Sequence, residues 1–488
     1  MNKIAEPLYS AAQVRELDRR AIVDHGVPGY TLMQRAAQAS WNVLRARWPQ
    51  ARSLLVICGT GNNGGDGYEL ARLSRREGWR TQVLAVDGVP TQGDAVLAYA
   101  AWCADGGAVE TWTGVLPASD VIADAIFGTG LSRAPQNAAA AAITAINAAQ
   151  AGGTAVIALD LPSGLEASSG AAFTPAVNAD LTISFIGRKL GAYTGAGPAL
   201  CGEREFDDLS VPEGVYAGLP PLACLQHADE LAALLPRRRR NAHKGDHGHV
   251  LVVGGNHGMM GAALLAARAA LRSGAGLVSV ATRAEHAGAM TAAQPELMCH
   301  GVDDETGLRA LLARADVVAI GPGLGGDRWA RGLWAAAIDS GKPLIVDADA
   351  LKLLAAEPTM LKDAVLTPHP GEAARLLGVG TVEIQADRLA ALRALEARYG
   401  AAVVLKGAGS LSSGGPPRVC AHGNPGMAVG GSGDVLSGVI AALHAQGLSR
   451  DQAAQAGVLV HALAGDRAAA GGERGMLPSD LLDELRDI

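Results

Sequence analysis

The chain alternates short apolar runs with longer stretches in which apolar residues recur at helical spacing. In the first half, nearly continuous apolar runs occur at residues 53–58 (SLLVIC), 80–86, 121–127 and 154–159, and helices are predicted at 10–25, 32–48 and 68–77. The second half repeats the pattern, with apolar runs at 249–253, 277–281, 316–320, 343–346, 364–366 and 402–405. Apolar runs separated by helices are typical of parallel strands that are buried on both faces. The pattern therefore predicts an α/β fold in each half.

The alternation breaks between residues 202 and 242, where Pro212, Pro220, Pro221 and Pro236 lie. Single cores stop growing at about 250–300 residues, and this chain has 488. We therefore predict two domains, at residues 1–220 and 221–488. The basic run at 237–240 is interpreted either as a solvated linker or as a phosphate-binding or targeting patch.

Composition narrows the classes of function. Hydrophobic residues make up 49% of the chain and charged residues 18%, which is typical of a globular protein. The formal net charge of −7 gives no electrostatic reason to expect nucleic-acid binding. The six cysteines are dispersed without a CxxC pair, which favours reduced thiols in a cytoplasmic protein over disulfides or a zinc site. The uncharged stretch at 135–159 contains Asn, Gln and Gly, so helix, turn and strand are expected there and no membrane span.

A glycine-rich segment, GTGNNGGDG at residues 59–67, follows the first of these strands and precedes a helix. Glycines let the backbone turn tightly and approach a ligand, and free amides at a helix start suit a phosphate. Gly59, Gly61 and Gly64 also satisfy GxGxxG, which is weak evidence alone. A Rossmann dehydrogenase that holds a ribose with Asp87, or a purely structural turn, remains possible at this point.

Polar residues end two further strands of the first half. Asp124 begins DAIFGTGL, and Asp160 begins DLPSG, which contains Ser163. The carboxyl ends of parallel strands line the ligand crevice, so Asn63 is expected to converge with these residues. Hard oxygen ligands suit a cation such as K⁺ or Mg²⁺. The alternative is that Asp160 and Ser163 only cap a helix.

Together, GNNGGDG, DAIFGTGL and LDLPSG resemble the NAD(P)H-hydrate epimerase family over about residues 10–215. The resemblance implies a Rossmann-like three-layer sandwich and K⁺ held by Asn63, Asp124 and Ser163. It also implies that Asp160 contacts the substrate, and we expect Asp160 to act as acid and base at the hydroxyl-bearing ring carbon. The contacts that it implies to the hydrated dinucleotide are Asn62, Asn63, Gly64, Gly65, Asp66, Gly128, Thr129, Gly130, Leu131, Ser132, Arg133, Ala134 and Asp160.

A second glycine-rich segment, GNPGMAVGGSGD at residues 423–434, precedes a helical run. Asp434 falls in the first turn of that helix. It is suited to accept a hydroxyl proton while the amides of 431–433 hold a phosphoryl group, the positioning and charge stabilisation that phosphoryl transfer requires. A simple N-cap aspartate is the alternative. Glu372, after another strand, is a candidate for ordering a metal or water near the phosphates. The P-loop pattern GxxxxGK[ST] does not occur.

The second half resembles ribokinase-like enzymes, and more closely the ADP/ATP-dependent NAD(P)H-hydrate dehydratases, over about residues 230–485. The segments that carry the resemblance are HKGD, VLVVGGNHGMMGAA, GPGLGG, TPHPGE, LKGAGS and GGSGD. It implies a ribokinase-like α/β domain that uses ADP and Mg²⁺. Ordinary ribokinases carry Asn where His369 stands, while His257 is left without a role. The implied hydrate contacts are Ala262, Gly323, Gly325, His369 and Asp434, and the nucleotide contacts are Lys406, Gly407, Ala408, Gly409, Ser410 and Gly433.

The predicted function is therefore repair of hydrated NADH and NADPH. The first domain is expected to interconvert the R and S hydrates, and the second to dehydrate the S form with ADP, giving NAD(P)H, AMP and phosphate. A homo-oligomer that binds neither nucleic acid nor membrane is expected. The alternatives are a kinase of a small alcohol or vitamin with a ligand-sensing N-terminal half, and a non-enzymatic nucleotide-binding scaffold.

Overall fold

The computed structural model describes residues 6–488, so residues 1–5 of the predicted first domain lie outside the described residues. The chain forms two compact units, an N-terminal unit of Pro7–Ala223 and a C-terminal unit that begins at Cys224. No helix among the described residues is both long and apolar enough to cross a membrane. All six cysteines are free thiols.

The N-terminal unit contains nine strands and six α-helices. The strands are β1 (Glu6–Tyr9), β2 (Ser53–Cys58), β3 (Arg80–Ala85), β4 (Glu110–Thr111), β5 (Val121–Ala125), β6 (Ala155–Leu159), β7 (Leu181–Phe185), β8 (Arg188–Lys189) and β9 (Glu203–Asp207). The helices are α1 (Ala11–Arg19), which continues as a π-helical turn (Arg20–Asp24), α2 (Gly29–Arg47), α3 (Asn62–Arg76), α4 (Asp94–Ala104), α5 (Asn137–Ala151) and α6 (Gly197–Leu200).

Seven of these strands form a parallel sheet in the order β4-β3-β2-β5-β6-β7-β9. Leu54 and Val56 pack into the core cluster on one face, with residues of α2, α3 and α4, while Leu55 and Ile57 pack with α5 on the other. The predicted three-layer sandwich is therefore confirmed. Because β3 and β5 lie on opposite sides of β2, the crevice for a ligand is expected at the carboxyl ends of β2 and β5.

The C-terminal unit has the second sheet. Its strands are β10 (Ala223–Leu225), β11 (His249–Val253), β12 (Leu277–Thr282), β13 (Met298–Gly301), β14 (Val317–Ile320), β15 (Leu344–Val346), β16 (Ala364–Leu366), β17 (Ala402–Leu405), β18 (Ser410–Ser412) and β19 (Arg418–Cys420). Its helices are α7 (Leu231–Leu234), α8 (Met260–Arg272), α9 (Ala284–Ala293), α10 (Glu305–Leu312), α11 (Arg328–Asp339), α12 (Ala348–Ala356), α13 (Pro370–Leu377), α14 (Thr381–Ala386), α15 (Arg388–Tyr399), α16 (Ser432–Ala445), α17 (Arg450–Ala468) and α18 (Pro478–Glu484).

The strand order in this unit is β13-β12-β11-β14-β15-β16-β17-β18-β19-β10. The strands from β13 to β17 are parallel, and β18 is antiparallel to both of its neighbours. The chain direction across the sheet reverses between β11 and β14. The loops that follow these two strands therefore flank the expected crevice, and they are joined by hydrogen bonds from Gly255 N to Pro322 O (3.0 Å) and from Asn256 N to Gly323 O (2.7 Å).

Two sequence predictions about the fold were wrong. Helix α3 begins at Asn62, not at 68, so the glycine-rich segment forms its first turns. A Cβ atom on Gly64 would lie 2.0 Å from the Gly59 carbonyl oxygen, so the glycine permits close packing of helix and turn. The segment from 202 also contains strand β9 (EREFD), where no strand was predicted. Charged residues are tolerated there because β9 is an edge strand of the sheet.

Candidate active sites

A cavity of about 480 Å³ opens at the carboxyl ends of β2, β5 and β6 in the N-terminal unit. It is lined by Asn62, Asn63, Asp66, Asp160 and the segment 126–131, and a second cavity of about 510 Å³ shares Phe127, Gly130 and Leu131 with it. Ser132, Arg133 and Ala134 line the second cavity together with Asp87. Gly64 and Gly65 differ from the other predicted contacts, because they pack closely against the protein. A Cβ atom added at Gly64 would overlap Gly59, and one added at Gly65 would overlap Met33.

Asp124 and Ser163 are buried behind the cavity-lining segment 126–131 and do not line the cavity themselves. The Ser163 amide and hydroxyl donate to the two carboxylate oxygens of Asp124, both at 2.7 Å, and the Phe127 amide donates to the Ser163 hydroxyl oxygen at 2.9 Å. Burial raises the pKa of Asp124 to about 6, against the lowering effect of the Ser163 hydrogen bonds. Neither Asp160 nor Ser163 begins a helix among the described residues, so the helix-capping alternative is wrong.

The side chain of Asn63 lines the cavity, with both amide atoms buried and no hydrogen-bond partner among the described residues. A Cβ atom added at Gly128 would lie 3.5 Å from the Asn63 side chain and 2.9 Å from Asp160 Oδ2. Gly128 therefore brings Asn63 and Asp160 within reach of one ligand. An unsatisfied buried amide next to a cavity indicates a bound group that completes its coordination or hydrogen bonding.

Asp160 forms an ion pair with Lys189, whose side chain is 1% exposed. The same ammonium group donates to the Phe185 carbonyl oxygen at 3.0 Å, and the Thr129 amide donates to Asp160 Oδ2 at 3.2 Å. Asp160 has a positive φ of 67°, which turns its side chain at the end of β6. Lys189 was missed by sequence reasoning. It lies on the two-residue strand β8, whose pairing with β1 has no local signal.

In the C-terminal unit, Lys406 and Asp347 form a buried ion pair of 2.8 Å. Ser437 donates to the second carboxylate oxygen of Asp347, also at 2.8 Å, and Glu372 lies 3.9 Å from the Lys406 ammonium group. Sequence reasoning missed Asp347. It directly follows β15, so the rule that located Asp124 and Asp160 at strand ends would have found it.

Asp434 stands next to this ion pair, in the first turn of α16. The N-cap of α16 is Gly431, so the alternative of an N-cap aspartate is wrong. Partial burial, followed by the charge of Asp347, raises the pKa of Asp434 to about 7, while Lys406 opposes the shift. A Cβ atom on Gly433 would lie 3.1 Å from the Lys406 ammonium nitrogen. The predicted Asp434, Gly433 and Lys406 therefore share one site.

The GPGLGG segment, which holds two of the predicted hydrate contacts, forms the loop after β14. A Cβ atom on Gly323 would lie 3.3 Å from the Ala262 Cβ, and the Gly325 amide donates to Asp349 at 2.8 Å. Asp349 in turn contributes to raising the pKa of Asp434, after burial and Asp347. These contacts connect the predicted hydrate loops to Asp434.

His369 is the N-cap of α13, where its Nδ1 accepts from the Gly371 amide at 3.0 Å. A carboxylate oxygen of Glu372 accepts a hydrogen bond from the His369 amide at 2.8 Å, which completes a capping box. The His369 side chain remains 57% exposed, so it is not a core histidine. His257 is also exposed and pairs with Glu285 at 2.9 Å.

The LKGAGS turn rests on a second buried cation that sequence reasoning missed. The Arg388 guanidinium donates to the Leu405 and Lys406 carbonyl oxygens at 3.1 and 3.2 Å, and burial lowers its pKa to about 10. Within the turn, the Ser410 hydroxyl donates to Gly407 O at 2.8 Å. This segment is therefore a supported, compact turn. By contrast, the basic residues at 237–240 are exposed.

Comparison with known proteins identifies both halves. Residues 29–191 match the family described as YjeF-related protein N-terminus, and residues 250–487 match NAD(P)H-hydrate dehydratase. The bifunctional NAD(P)H-hydrate repair enzyme Nnr of Coxiella burnetii is 46% identical over 98% of both chains. That of Escherichia coli is 43% identical over 99% of this chain and 94% of its own. A ribokinase-like superfamily protein from Enterococcus faecalis is 31% identical, with a TM-score of 0.51, over 54% of this chain and 94% of its own.

Proposed function

This chain belongs to the family of bifunctional NAD(P)H-hydrate repair enzymes, and from that premise we propose how its residues perform the two reactions. The N-terminal unit interconverts the R and S epimers of hydrated NADH and NADPH. The C-terminal unit dehydrates the S epimer with ADP and releases NAD(P)H, AMP and phosphate. We assign the first activity to residues 1–220 and the second to 221–488.

For epimerisation, the hydrated ring occupies the cavity beside Asn63 and Asp160. The predicted contacts at 62–66 and 128–134 supply backbone amides at the start of α3 and after β5, which suit the dinucleotide phosphates. The hydroxyl-bearing carbon adjoins the ring nitrogen, so inversion requires the hydroxyl to leave and return on the opposite face. Asp160, held by Lys189 and Thr129, is the group that transfers a proton at this carbon.

Asn63 on the wall of this cavity, with Asp124 and Ser163 buried behind the wall, fits a bound K⁺. The Asn63 amide oxygen is buried without a hydrogen-bond partner among the described residues, and Asp124 and Ser163 add further oxygen ligands of the kind that hard cations prefer. When bound, K⁺ would supply positive charge for an anionic group of the substrate. Asn63, Asp124 and Ser163 would hold it.

For dehydration, Asp434 acts as the base. It accepts the proton of the ring hydroxyl as the hydroxyl oxygen attacks the terminal phosphorus of ADP, and the bond from that phosphorus to the bridging oxygen of AMP breaks. The ring nitrogen lone pair then forms a C=N bond as the C–O bond breaks and phosphate leaves. Loss of a proton from the neighbouring carbon restores the neutral dihydronicotinamide. The Gly433 amide and Lys406 stabilise the charge that develops on the transferring group.

The acidic groups around Asp434 fit a Mg²⁺–nucleotide complex. Asp347, Glu372 and Asp434 surround the single ammonium group of Lys406, which leaves negative charge uncompensated. When bound, Mg²⁺ would neutralise charge on the phosphates, with Glu372 the residue that orders the ion or its water. The turn 406–410 and Gly433 would contact the nucleotide, while Ala262, Gly323, Gly325 and His369 would contact the hydrate.

We also propose a cytoplasmic location, which the free thiols support, and a homo-oligomeric state, which is common for such folds. The net charge of −7 supports a protein that binds neither nucleic acid nor membrane.

The observation that carries the proposal is that Asp434 stands at the start of α16 beside Lys406 and Asp347. The test uses chemically hydrated NADH containing both epimers, with the full chain, ADP and Mg²⁺. Recovery of reduced-nicotinamide absorbance from both epimers is expected. Asp160→Asn is expected to recover the S epimer rapidly and leave the R epimer. No recovery by the unmodified chain contradicts the proposal.

A further inference from the structure

Helix α1 presents a carboxyl group to the epimerase cavity. Val14, Asp18 and Ile22 are spaced four residues apart, so they share one face, and all three line the cavity that Asn63 and Asp160 also line. Leu17 and Ala21 on the neighbouring face are fully buried. Asp18 is thus an acidic residue on the inner side of an amphipathic helix, where an apolar residue would be expected.

Asp18 differs from the other acidic residues of this segment in its lack of partners. Glu16 pairs with Arg19 and Arg20, at 2.8 and 2.9 Å, and Asp24 pairs with Arg19 at 2.9 Å. Asp18 makes no hydrogen bond or ion pair with any residue that the structure describes. A carboxyl group on a cavity wall without a protein partner is available to a ligand.

The charged and titratable groups that face Asp18 come from four other elements. Burial is the main cause that raises the pKa of Asp18 to about 6, and the negative charge of Asp160 adds to it, while Lys189 acts in the opposite direction. At this pKa about one Asp18 carboxyl in ten carries a proton at pH 7, and the protonated share rises as the pH falls. The groups that face it are Asp160 after β6, Lys189 on β8, Asp66 on α3 and Tyr216 in a short 3₁₀ turn.

We propose that Asp18 is the second proton-transfer group of the epimerisation, acting at one face of the hydrated ring while Asp160 acts at the other. The inference rests on the proposed function of the N-terminal unit. Loss and return of a hydroxyl on opposite faces needs an acid on one side and a base on the other, as in inverting glycoside hydrolysis. A carboxyl group that belongs to a different wall of the cavity from Asp160 meets this requirement.

The reaction then balances with two carboxyl groups and one water. Neutral Asp18 donates its proton to the ring hydroxyl, the C–O bond breaks, and the hydroxyl leaves as water while the ring nitrogen lone pair forms a C=N bond. A water on the opposite face attacks the same carbon, Asp160 accepts its proton, and the electron pair of the C=N bond returns to nitrogen. The two carboxyl groups have exchanged protonation states, which is the arrangement that the reverse reaction requires.

The test measures interconversion of purified R and S hydrates by the full chain without nucleotide, so that dehydration does not contribute. Asp18→Asn is expected to lower kcat by about 10² to 10⁴-fold with little change in KM, and Asp18→Glu to restore part of the rate. The wild-type kcat/KM is expected to fall above about pH 6 as Asp18 loses its proton, and this alkaline limb should be absent in Asp18→Asn.

Asp24→Asn is the matched control, since Asp24 lies in the same segment and is expected to leave the rate unchanged. Urea denaturation of the Asp18→Asn chain checks that its N-terminal unit is folded, because dehydration of the S hydrate reports only on the C-terminal unit. In ¹⁸O-labelled water, each wild-type inversion should introduce one ¹⁸O atom. This isotope measurement tests the departure of the hydroxyl oxygen, and the Asp18→Glu rate together with the wild-type pH profile tests Asp18 if Asp18→Asn does not fold.

An Asp18→Asn rate within twofold of the wild type would overturn the inference and leave the proposed function standing. Retention of the original oxygen would overturn the inference together with the departure of the hydroxyl that the proposed epimerisation contains. A wild-type chain that does not interconvert the epimers would instead contradict the proposed function itself.

Discussion

The ammonium nitrogen of Lys406 lies 2.8 Å from a carboxylate oxygen of Asp347, whose side chain is 1% exposed. The second oxygen of that carboxylate is occupied by the Ser437 hydroxyl, so the aspartate is satisfied on both sides. The pair connects the strand end after β15 with the LKGAGS turn after β17. It therefore holds the Lys406 ammonium group in one position within the proposed phosphoryl-transfer site.

Removing this cation leaves a buried carboxylate without its partner. Lys406→Met is expected to lower the free energy of unfolding of the C-terminal unit by about 3 kcal/mol, because an uncompensated buried charge is strongly destabilising. Urea denaturation measures the change. The control is Lys352→Met, which breaks the ion pair of Asp349 with a lysine that is 52% exposed and is expected to cost less than about 1 kcal/mol. Equal losses in the two variants would contradict the assignment.

The dehydration rate should depend on pH through Asp434. As a base, Asp434 must be ionised, and its pKa is raised to about 7, mainly by burial. We therefore expect kcat/KM to fall about tenfold for each pH unit below about 7. The Lys406 charge lowers this pKa, so the same limb should lie at higher pH in Lys406→Met. A rate that stays constant down to pH 5 would exclude Asp434 as the base.

The strands and motifs that sequence reasoning located share one property: each is recognised from a short, continuous segment of the sequence. The runs 249–253, 364–366 and 402–405 have the predicted bounds, because each is a continuous apolar segment of a buried parallel sheet. Likewise, Asp124 lies near the end of β5 and Asp160 directly follows β6, as the polar residues at strand ends predicted. Local patterns thus determined most of the fold and the first residues of each candidate site.

The residues that were missed depend on long-range packing. Lys189 reaches Asp160 because β8 pairs with β1, a contact between segments 180 residues apart in the register Tyr9–Lys189. Arg388 supports the LKGAGS turn from the first position of α15, and no pattern near it indicates this role. Asp18 did leave a signal, since it is an acid that directly follows the buried Leu17 and lies four residues after the buried Val14. Its meaning depends on the cavity that the other elements complete.

Replacing Asp434 should separate activity from stability. Asp434→Asn is expected to reduce dehydration by at least 10²-fold while ADP still binds, because the amide cannot accept the hydroxyl proton. A carboxyl group whose pKa is raised in the folded state favours folding below its unfolded pKa and loses that contribution as pH rises through about 7.

The variant should therefore be more stable than the wild type at pH 8, by on the order of 1 kcal/mol after allowance for partial exposure, and the difference should shrink towards pH 4. Nucleotide titration and urea denaturation at the two pH values measure these effects, and Asp339→Asn, on an exposed face of α11, is the control. An Asp434→Asn chain that turns over normally would remove this residue from the mechanism.

Substitution of Asn63 tests whether this residue is a cation ligand or an asparagine with only a structural role. Its amide makes no hydrogen bond with a described residue, so Asn63→Ala is expected to change the free energy of unfolding by less than about 0.5 kcal/mol. The matched variant is Asn147→Ala. It removes hydrogen bonds of 2.8 Å to Ala176 and Asn178 and is expected to cost about 1–2 kcal/mol.

Epimerisation is then measured against KCl concentration at constant ionic strength, with choline as the replacement cation. In this assay Asn63→Ala should have the larger effect and Asn147→Ala the smaller one. The wild type and Asn147→Ala should be activated by K⁺ with the same midpoint, whereas Asn63→Ala should require a K⁺ concentration at least tenfold higher. This is expected because one of its three predicted protein ligands is lost, while the Asp124 carboxylate remains to attract the ion. Equal midpoints in all three proteins would show that Asn63 does not hold K⁺.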